Sequence, residues 1–432
     1  MDQPAIPRIL PRQEHCISRK IIDPDALKVL YRLHQNGFIA YLVGGCVRDL
    51  LLGKTPKDFD VATDAHPRQI REIFRNSRLI GRRFRLAHVY FSGGKYIEVS
   101  TFRRRSEFEE NGEDLLPQTE NAFGTPAEDA FRRDITINGV FYDISDFSLV
   151  DYVGGLDDLR QGIIRCIGDP GEKFAQDPVR MIRVIRHAAR TGFGIEGKTY
   201  RALLTHVDRV RLCSPARVRD EFLRELREGS AKESMRLMVE TGMLFVLFPS
   251  FRAPFEDEKR KEYFLNSLEI LDQLHLLEEK VSDELSLALF LHPFLEFYCP
   301  MEEFPAGRKG QPDFHLKVRE WLIHILGPFS FTRHSREAAA QLLAHQRTLR
   351  EFAPLPGRLP LRLVRRPEFS QTLHLFRLAG KARGEEIPEF SWPLEGKKFH
   401  RRKRKHRFRK KTRRKAGGTL PAGEPPPGDS DP

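Results

Sequence analysis

The sequence lacks several features that define common protein classes. It has no run of about 18 apolar residues, so it predicts no transmembrane helix. Its first residues include prolines and acidic side chains where a signal peptide needs an unbroken apolar core. The five cysteines never stand in C-x-x-C spacing, which argues against a zinc site or a disulfide framework. These absences predict a cytoplasmic protein with reduced thiols.

The motifs of several enzyme classes are also missing. There is no G-x-x-x-x-G-K-[ST] phosphate loop and no H-E-x-x-H zinc motif. A G-x-G-x-x-G pattern exists at Gly192, Gly194 and Gly197, but it follows a strongly helical stretch rather than a strand. We therefore interpret it as a loop between helices and not as a dinucleotide-binding fingerprint.

Negative charge is absent from one segment near the C-terminus. Residues 397–415, KKFHRRKRKHRFRKKTRRK, contain 14 Lys and Arg and no acid. Removing these 14 from the total of 73 leaves 59 basic against 60 acidic residues, so the whole net charge of +13 comes from this segment. Such a run repels itself, and we expect a disordered arm that binds nucleic-acid phosphates without reading sequence. A localisation signal and a solubility tail are the alternatives. The arm by itself does not distinguish RNA from DNA; the residues expected to contact the nucleic acid are Lys397, Arg401, Arg402, Arg404, Arg407, Arg409 and Arg413.

The order of predicted elements indicates an α+β protein. Helical and strand patterns mix between residues 23 and about 150, and helical patterns follow from about Asp177. The polar, acidic stretch from Arg104 to Ala130 predicts a mobile functional loop. We divide the chain into an N-terminal extension (1–22), a head (23–165), a helical neck with a recognition helix (166–250), a helical body expected to bind nucleic acid (251–390) and a basic, disordered C-terminal arm (391–432).

Two acids, Asp58 and Asp60, flank a phenylalanine in DFDVAT, which alternates like a strand. Residues two apart in a strand point to the same face, so these carboxylates would repel each other. A divalent cation relieves that repulsion, and Mg²⁺ takes its ligands from a few carboxylates together with substrate phosphates. The alternative is a strand edge with solvated acids.

A pattern suited to phosphate binding precedes the acids. Gly44 and Gly45 end a predicted strand and open a helix, where backbone N–H groups can approach an anion. Arg48, on the first turn of that helix, can add a charge-assisted contact. A phosphate cradle beside a metal-binding carboxylate pair predicts a nucleotidyl-transfer site.

These residues resemble a known family. LVGGCVRDLLLG and PKDFDVAT look like the head of the polymerase-β-type nucleotidyltransferases, in the class II family of tRNA CCA-adding enzymes and bacterial poly(A) polymerases. Further similar motifs follow in order: IEVSTFR, EDAFRRDITING, FAQDPVRMIRVIRHA and SPARVRDEFLREL. The resemblance covers residues 23 to about 250. It implies a head with a small mixed sheet and helices, followed by all-helical neck and body domains.

The resemblance also implies roles for individual residues. Asp58 and Asp60 would bind two Mg²⁺ ions, with Mn²⁺ as an alternative ion. Asp134 is the usual third catalytic acid, and Glu98 is a supporting acid that could take that place. Two positions depart from the family pattern, with Gln176 for a glutamate and Ile135 for a phenylalanine. Nucleotide contacts are implied for Gly44, Gly45, Arg48, Arg133 and Asn138, for Asp177 and Arg180 at the base edge, and for Arg183 and Arg186 toward the phosphates.

The choice between the two branches of the family rests on two features. Residues 79–91, LIGRRFRLAHVYF, resemble the poly(A) polymerase segment, where CCA-adding enzymes tend to have G-x-x-x-G-T-V. A basic arm suits an enzyme that extends many RNAs. We therefore expect template-independent transfer of AMP from ATP to RNA 3′ ends, with release of pyrophosphate. Complete or partial CCA addition is the alternative, and a non-catalytic RNA-binding protein is a remote one. Docking of RNA-decay proteins on the helical body is left open.

Deletion of residues 397–415 should weaken RNA affinity and flatten its salt dependence, because each lost phosphate contact removes about 0.7 from the log–log slope for single strands. The measurement is the dissociation constant for an RNA primer across a salt series. Deletion of residues 416–432, which contain no Lys or Arg, is the matched control. Primer extension at high primer concentration should survive, and an unchanged salt slope would refute the role of the arm.

Overall fold

The computed structural model describes residues 6–81, 86–104, 123–304, 313–352, 359–388 and 390. The basic arm and most of the predicted loop from Arg104 to Ala130 lie outside these ranges. Among the described residues, no helix is long and apolar enough to cross a membrane.

The head is built on one eight-stranded sheet. Its strands are β1 (Arg8–Leu10), β2 (Ala40–Val43), β3 (Asp60–Thr63), β4 (Ser77–Ile80), β5 (Leu86–Tyr90), β6 (Tyr96–Thr101), β7 (Val140–Asp143) and β8 (Leu149–Asp151). The spatial order is β1-β8-β7-β2-β3-β6-β5-β4. Only β3 and β6 pair in parallel, whereas all other neighbours are antiparallel. The predicted mixed sheet is confirmed.

Short helices connect and cover these strands. They are α1 (Pro24–Gln35), α2 (Gly45–Leu51), α3 (Pro67–Ile73), α4 (Pro126–Phe131) and α5 (Gly155–Gln161). The first helix begins where the sequence predicts, because the Asp23 carboxylate accepts hydrogen bonds from the backbone N–H groups of Asp25 and Ala26. Gly44 joins β2 to α2 with φ at 74°, a conformation that glycine adopts without strain.

Each face of the head sheet buries its own apolar cluster. Leu42 of β2 and Val61 of β3 belong to the larger cluster, which includes side chains of α1. Their neighbours Val43 and Ala62 point to the opposite face and pack with Phe102 and other residues of a smaller cluster. The middle of the sheet is covered by apolar side chains on both faces, so its backbone is held in place. The residues at the ends of β2 and β3 are therefore held in place as well.

The N-terminal segment is part of the head. We predicted residues 1–22 as a separate extension, but β1 pairs antiparallel with β8, with Ile9 opposite Val150. Leu10 and Ile17 are buried in the larger head cluster. The prediction failed because a three-residue strand carries too little periodicity to be recognised in the sequence.

After β8 and α5, the residues that the structure describes are mainly helical, as predicted, and they include one small pair of strands. The helices are α6 (Pro170–Gln176), α7 (Val179–Thr191), α8 (Gly197–His206), α9 (Pro215–Glu225), α10 (Ala231–Glu240), α11 (Met243–Leu247), α12 (Glu258–Leu276), α13 (Asp283–Tyr298), α14 (Phe314–Leu326), α15 (Arg333–Phe352), α16 (Leu361–Val364) and α17 (Phe369–Arg383). The strands β9 (Ile163–Ile164) and β10 (Gly194–Ile195) pair in parallel.

The glycine-rich pattern around β10 connects two helices, as we inferred, and it also contains a short strand. Gly192 ends α7 in the left-handed conformation, with φ at 75°, and Gly197 is the first residue of α8. The pattern thus follows a helix rather than a strand. The sequence did not reveal that Gly194 and Ile195 form a strand within this connection.

One continuous core joins the predicted neck and body. Three phenylalanine rings pack together at centroid distances of 5.0 to 5.6 Å: those of Phe222 in α9, Phe248 just after α11, and Phe290 in α13. Ile135 and Ile137 of the head segment also belong to this cluster. The predicted domain boundaries at 165 and 250 therefore fall within a shared apolar core.

Leu10→Ala should destabilise the head by about 2 kcal/mol or more, because it leaves a cavity where β1 meets the core. Ile9→Ala is the matched control, since the Ile9 side chain next to it is 59% exposed and its loss should cost within about 0.5 kcal/mol. Chemical denaturation followed by circular dichroism measures both. Equal, small effects of the two changes would mean that β1 does not contribute to the stability of the head.

Candidate active site

Three acids meet at the start of β3. Asp60 is its first residue, and Glu98 on the parallel strand β6 is its register partner. Asp58 is exposed and lies two residues before the strand, so our prediction that both acids sit on the strand was wrong. The acids nonetheless interact, because the charges of both Glu98 and Asp58 disfavour ionisation of Asp60.

The Asp60 carboxylate is in an environment poor in compensating charge. Burial raises the pKa of Asp60 to about 6, the Glu98 and Asp58 carboxylates add to the rise, and Arg133 opposes it. A nearby cation stabilises the ionised form of such a carboxylate more than it stabilises the ionised form of an exposed one. The start of β3 is therefore electrostatically prepared for positive charge.

Gly44 lies between the acid and a cation. A β-carbon added there would stand 3.2 Å from Arg133 Nη1 and 4.0 Å from Asp60 Oδ2. Any side chain at this position would therefore fill the space that separates the guanidinium from the carboxylate. The structure thus brings together Gly44, Asp60 and Arg133, three of the residues singled out from the sequence.

Arg133 is held in place by a residue that the sequence reasoning missed. Asp129, buried one turn earlier, accepts hydrogen bonds from Arg133 Nη2 at 2.9 Å and from Arg132 Nε at 2.8 Å. Although burial opposes ionisation, Arg133 and Arg132 lower the pKa of Asp129. The four-residue spacing of Asp129 and Arg133 on a helical segment is the signal that could have found this pair.

Arg48 has different surroundings from those implied by the resemblance. Its guanidinium is 2% exposed and donates from Nε and Nη2 to Asp49 Oδ1, at 2.9 and 2.8 Å. Nη1 donates to Asn138 Oδ1 at 2.8 Å. A β-carbon on Gly45 would lie 3.4 Å from Arg48 Nη2. Arg48 and Asn138 thus lie behind the glycine turn and support it from inside the protein, so a direct phosphate contact is not what their geometry favours.

Asp134 also has unexpected partners. Arg183 Nη1 donates to its Oδ2 at 2.8 Å, and Arg180 Nη1 lies 3.1 Å from its Oδ1. Both oxygens are thereby engaged by guanidinium groups of α7. Glu98 is the register partner of Asp60, and Asp134 pairs with Arg180 and Arg183 of α7.

The residues implied for base reading have unfilled hydrogen-bonding capacity. Asp177 Oδ2 accepts from Arg217 Nη2 at 2.9 Å, but the buried Oδ1 has no hydrogen-bond partner. Arg180 Nη1, although close to Asp134, is not aligned for a hydrogen bond with it. One acceptor and one donor are thus unsatisfied on neighbouring side chains, and buried polar groups in this state are rare in proteins.

Arg186 is not available for the phosphate contact implied by the resemblance. Its side chain is 6% exposed, and Nε donates to Glu225 Oε1 at 2.8 Å while Nη2 pairs with Glu221. Arg183 shares this arrangement in part, because its Nε donates to Glu221 Oε1 at 2.8 Å. The two arginines therefore fasten α7 to α9, and only Arg183 also reaches a residue near the site.

A side chain of the helical body also contacts the loop that carries Asp58. Lys57, next to Asp58, lies with its Nζ 3.1 Å from His275 Nε2 near the end of α12. A β-carbon on Gly229 would come within 2.4 Å of the His275 ring, so glycine at that position leaves room for the ring. No local sequence pattern could have revealed a contact between residues 218 positions apart.

The chemistry of the acids fits Mg²⁺, which is bound by oxygen ligands. Asp58, Asp60 and Glu98 supply only carboxylate oxygens, and the raised pKa of Asp60 shows that positive charge is in deficit there. Within the described ranges, no group of three or more His, Cys, Asp or Glu side chains is placed to hold a metal ion. Mg²⁺ commonly takes one or two carboxylates and completes its shell with water and substrate phosphates, so a pair such as Asp58 and Asp60 meets its needs.

Comparison with protein families gives two matches. Residues 40–165 match the poly A polymerase head domain, and residues 192–253 match a region described as a probable RNA and SrmB-binding site of polymerase A. The first match contains the glycine turn, the acids and Arg133. The second begins at the end of α7.

Individual relatives agree with these matches. Poly(A) polymerase I of Salmonella typhi is 44% identical over 67% of this chain, and the match covers 64% of that protein, less than two thirds of its length. Poly(A) polymerase I of Haemophilus influenzae is 34% identical over 87% of this chain and 84% of its own length. A solved structure of a CCA-adding enzyme has a TM-score of 0.59 at 26% identity, covering 84% of this chain and 82% of that one.

The expectation of fold class drawn from the resemblance is confirmed by these comparisons, because the solved CCA-adding enzyme shares the nucleotidyltransferase head and the helical region. The family assignment rests on the Haemophilus relative and on the head-domain match. The chain belongs to the tRNA nucleotidyltransferase/poly(A) polymerase family.

Proposed function

We propose that this protein is a template-independent, cytoplasmic poly(A) polymerase. It transfers AMP from ATP to the 3′-hydroxyl ends of RNA: the RNA oxygen bonds to the α-phosphorus, and the bond to the leaving pyrophosphate breaks. The observation that carries this proposal is the meeting of Gly44, Arg133 and Asp60 within one small space, beside the acids Asp58 and Glu98. This arrangement offers a polyphosphate both a cation and an open backbone turn next to metal-binding carboxylates.

Different residues of the chain take part in different steps of the transfer. The side-chain-free turn at Gly44 and Gly45 lets the triphosphate approach the backbone, and Arg133 faces the charge that develops on the leaving pyrophosphate. Asp129 fixes the Arg133 guanidinium in advance, so little reorganisation is needed when charge develops. Two Mg²⁺ ions held by Asp58 and Asp60 would activate the attacking hydroxyl and neutralise the leaving group.

Base selection follows from the unsatisfied atoms of Asp177 and Arg180. The free Asp177 oxygen can accept from the exocyclic amine of adenine, and Arg180 can donate to a ring nitrogen. A nucleotide whose edge lacks this donor and acceptor order would leave the two groups unpaired, and that costs binding energy. Asp134 and Arg217 hold the pair in position.

Two considerations bear on the choice between poly(A) and CCA addition. Two relatives at 34% and 44% identity are named poly(A) polymerase I, which supports A addition. CCA addition is the second candidate, because a solved structure of similar fold is a CCA-adding enzyme. We place the RNA along residues 192–253, most of the predicted neck, because the family match to an RNA-binding region lies there and barely enters the predicted body (251–390). Any RNA-decay protein that docks would bind the same residues.

Purified protein should add long A tails to both an oligo(A) primer and a tRNA lacking its CCA end, when each of the four nucleotides is offered separately with Mg²⁺. Product lengths on denaturing gels are the measurement. Addition of C, C and A confined to the tRNA would instead establish the second candidate. Chelation of divalent ions should stop extension, and Mg²⁺ or Mn²⁺ should restore it.

In the same assay, Asp60→Asn and Asp58→Asn should lower the extension rate at least about a hundredfold, since each removes a charge on which metal binding depends. Asp157→Asn is the matched control, because Asp157 is a surface residue whose carboxylate only pairs with Arg8 and Arg160. Near-normal activity of Asp60→Asn with an unchanged Mg²⁺ requirement would show that the metal assignment is wrong.

Asp177→Asn should reduce the preference for ATP over CTP by about tenfold, because it replaces an acceptor-only carboxylate with an amide that also donates. The ratio of kcat/KM values for the two nucleotides, at a saturating primer, is the measurement. Asp157→Asn again serves as the control. A preference equal to that of the unmodified protein would remove Asp177 from base selection.

A further inference from the structure

The helix α7 reaches the back of the glycine turn at two points. His187 Nδ1 lies 3.3 Å from Arg48 Nη1, and His187 Nε2 lies 3.3 Å from Asn138 Nδ2. One turn further along, Arg190 Nη2 donates to Asp49 Oδ2 at 2.9 Å. Arg48 itself rests against Gly45. Polar contacts therefore connect α7 to Arg48, and the Arg48 guanidinium packs against the glycine turn.

The contacts that hold Arg48 are strengthened by burial. Arg48 and Asp49 are 1% and 5% exposed, so their ion pair is largely shielded from water. Asp49 has both oxygens engaged, since Oδ1 accepts from Arg48 and Oδ2 from Arg190. Loss of a partner would leave a buried guanidinium donor unpaired, and the side chain would then move to find another acceptor.

The histidine can fill its place only as a neutral ring. Arg48 has no acceptor, so an imidazole nitrogen facing it must be unprotonated. Burial, together with the charges of Arg48 and other arginines, lowers the pKa of His187 well below its ordinary value. A neutral imidazole has one acceptor nitrogen, so Nδ1 accepts from Arg48 and Nε2 carries the proton; Nε2 then does not accept from the Asn138 amide nitrogen. The hydrogen bond to Arg48 connects α7 to the inner side of the turn.

We propose that His187 is a positioning residue for the transfer reaction: by holding the Arg48 guanidinium, which Asn138 also holds, it fixes the Gly44–Gly45 turn that receives the triphosphate. None of the sequence motifs assigned a role to His187. The inference rests on the proposed function, because it takes the turn to be the triphosphate site. The histidine acts on turnover and not on the nucleotide directly, since small displacements of a bound reactive group reduce rate more than affinity.

His187→Phe tests the proposal, because phenylalanine keeps the ring shape and removes both nitrogens. With saturating oligo(A) primer, kcat should fall about tenfold while the KM for ATP changes less than about threefold. His187→Gln, whose amide can accept from Arg48, should recover kcat to within about threefold of the unmodified protein. His34→Phe, an exposed histidine on α1, is the matched control.

A purely structural role makes a different set of predictions. In that case kcat would fall in both variants in proportion to the loss of thermal midpoint, and glutamine would give no specific rescue. Unchanged kcat in His187→Phe would overturn the proposal, as would equal losses in both variants. If the unmodified protein fails to extend any primer, the proposed function falls instead, and the two failures are thereby distinguished.

A double-mutant cycle with Asn138→Ala provides the second measurement. If His187 acts through the Arg48–Asn138 contact, the loss from His187→Phe should shrink to less than about threefold in the Asn138→Ala background. Losses that multiply fully would place the effect of His187 outside this contact and would overturn the inference.

Discussion

The site depends on a carboxylate, Asp60, that is buried beside other acids at the first residue of β3. Burial raises the pKa of Asp60, and the charge of Glu98, its register partner on the parallel strand β6, raises it further. Arg133, which is itself held by Asp129, lowers it. A site of this kind stores a need for positive charge that the protein alone does not meet. Substrate-bound metal ions would satisfy it, which links substrate binding to the relief of unfavourable charge.

The fold holds in place the strands and the helix that carry the site residues. The acids and the glycine turn emerge at one end of β2 and β3, which are covered on both faces by apolar clusters. The arginines of α7 are set by acids on two sides, Asp134 from the head and Glu221 from α9. The residues that we propose for nucleotide binding thus come from different segments but share one packed framework.

Much of this could be predicted from the sequence, and the limits have physical causes. The motif residues Asp60, Gly44 and Arg133 lie within short, strongly patterned segments, and the structure brings them together. The resemblance misjudged the surroundings of Arg48, Asp134 and Arg186, because a motif shows which residue is present but not which side chain satisfies it. Long-range contacts such as Lys57 with His275 depend on tertiary packing alone.

The helix α7 sets the distance between Arg180, at one end, and the back of the glycine turn. His187, which contacts Arg48 behind that turn, lies seven positions after Arg180; at 1.5 Å per residue this is about 10 Å. Each inserted residue would rotate the later part of the helix by about 100° and break the correspondence. The length of this segment is therefore constrained as strictly as its residues, so natural variation in chain length should accumulate in the loops around it.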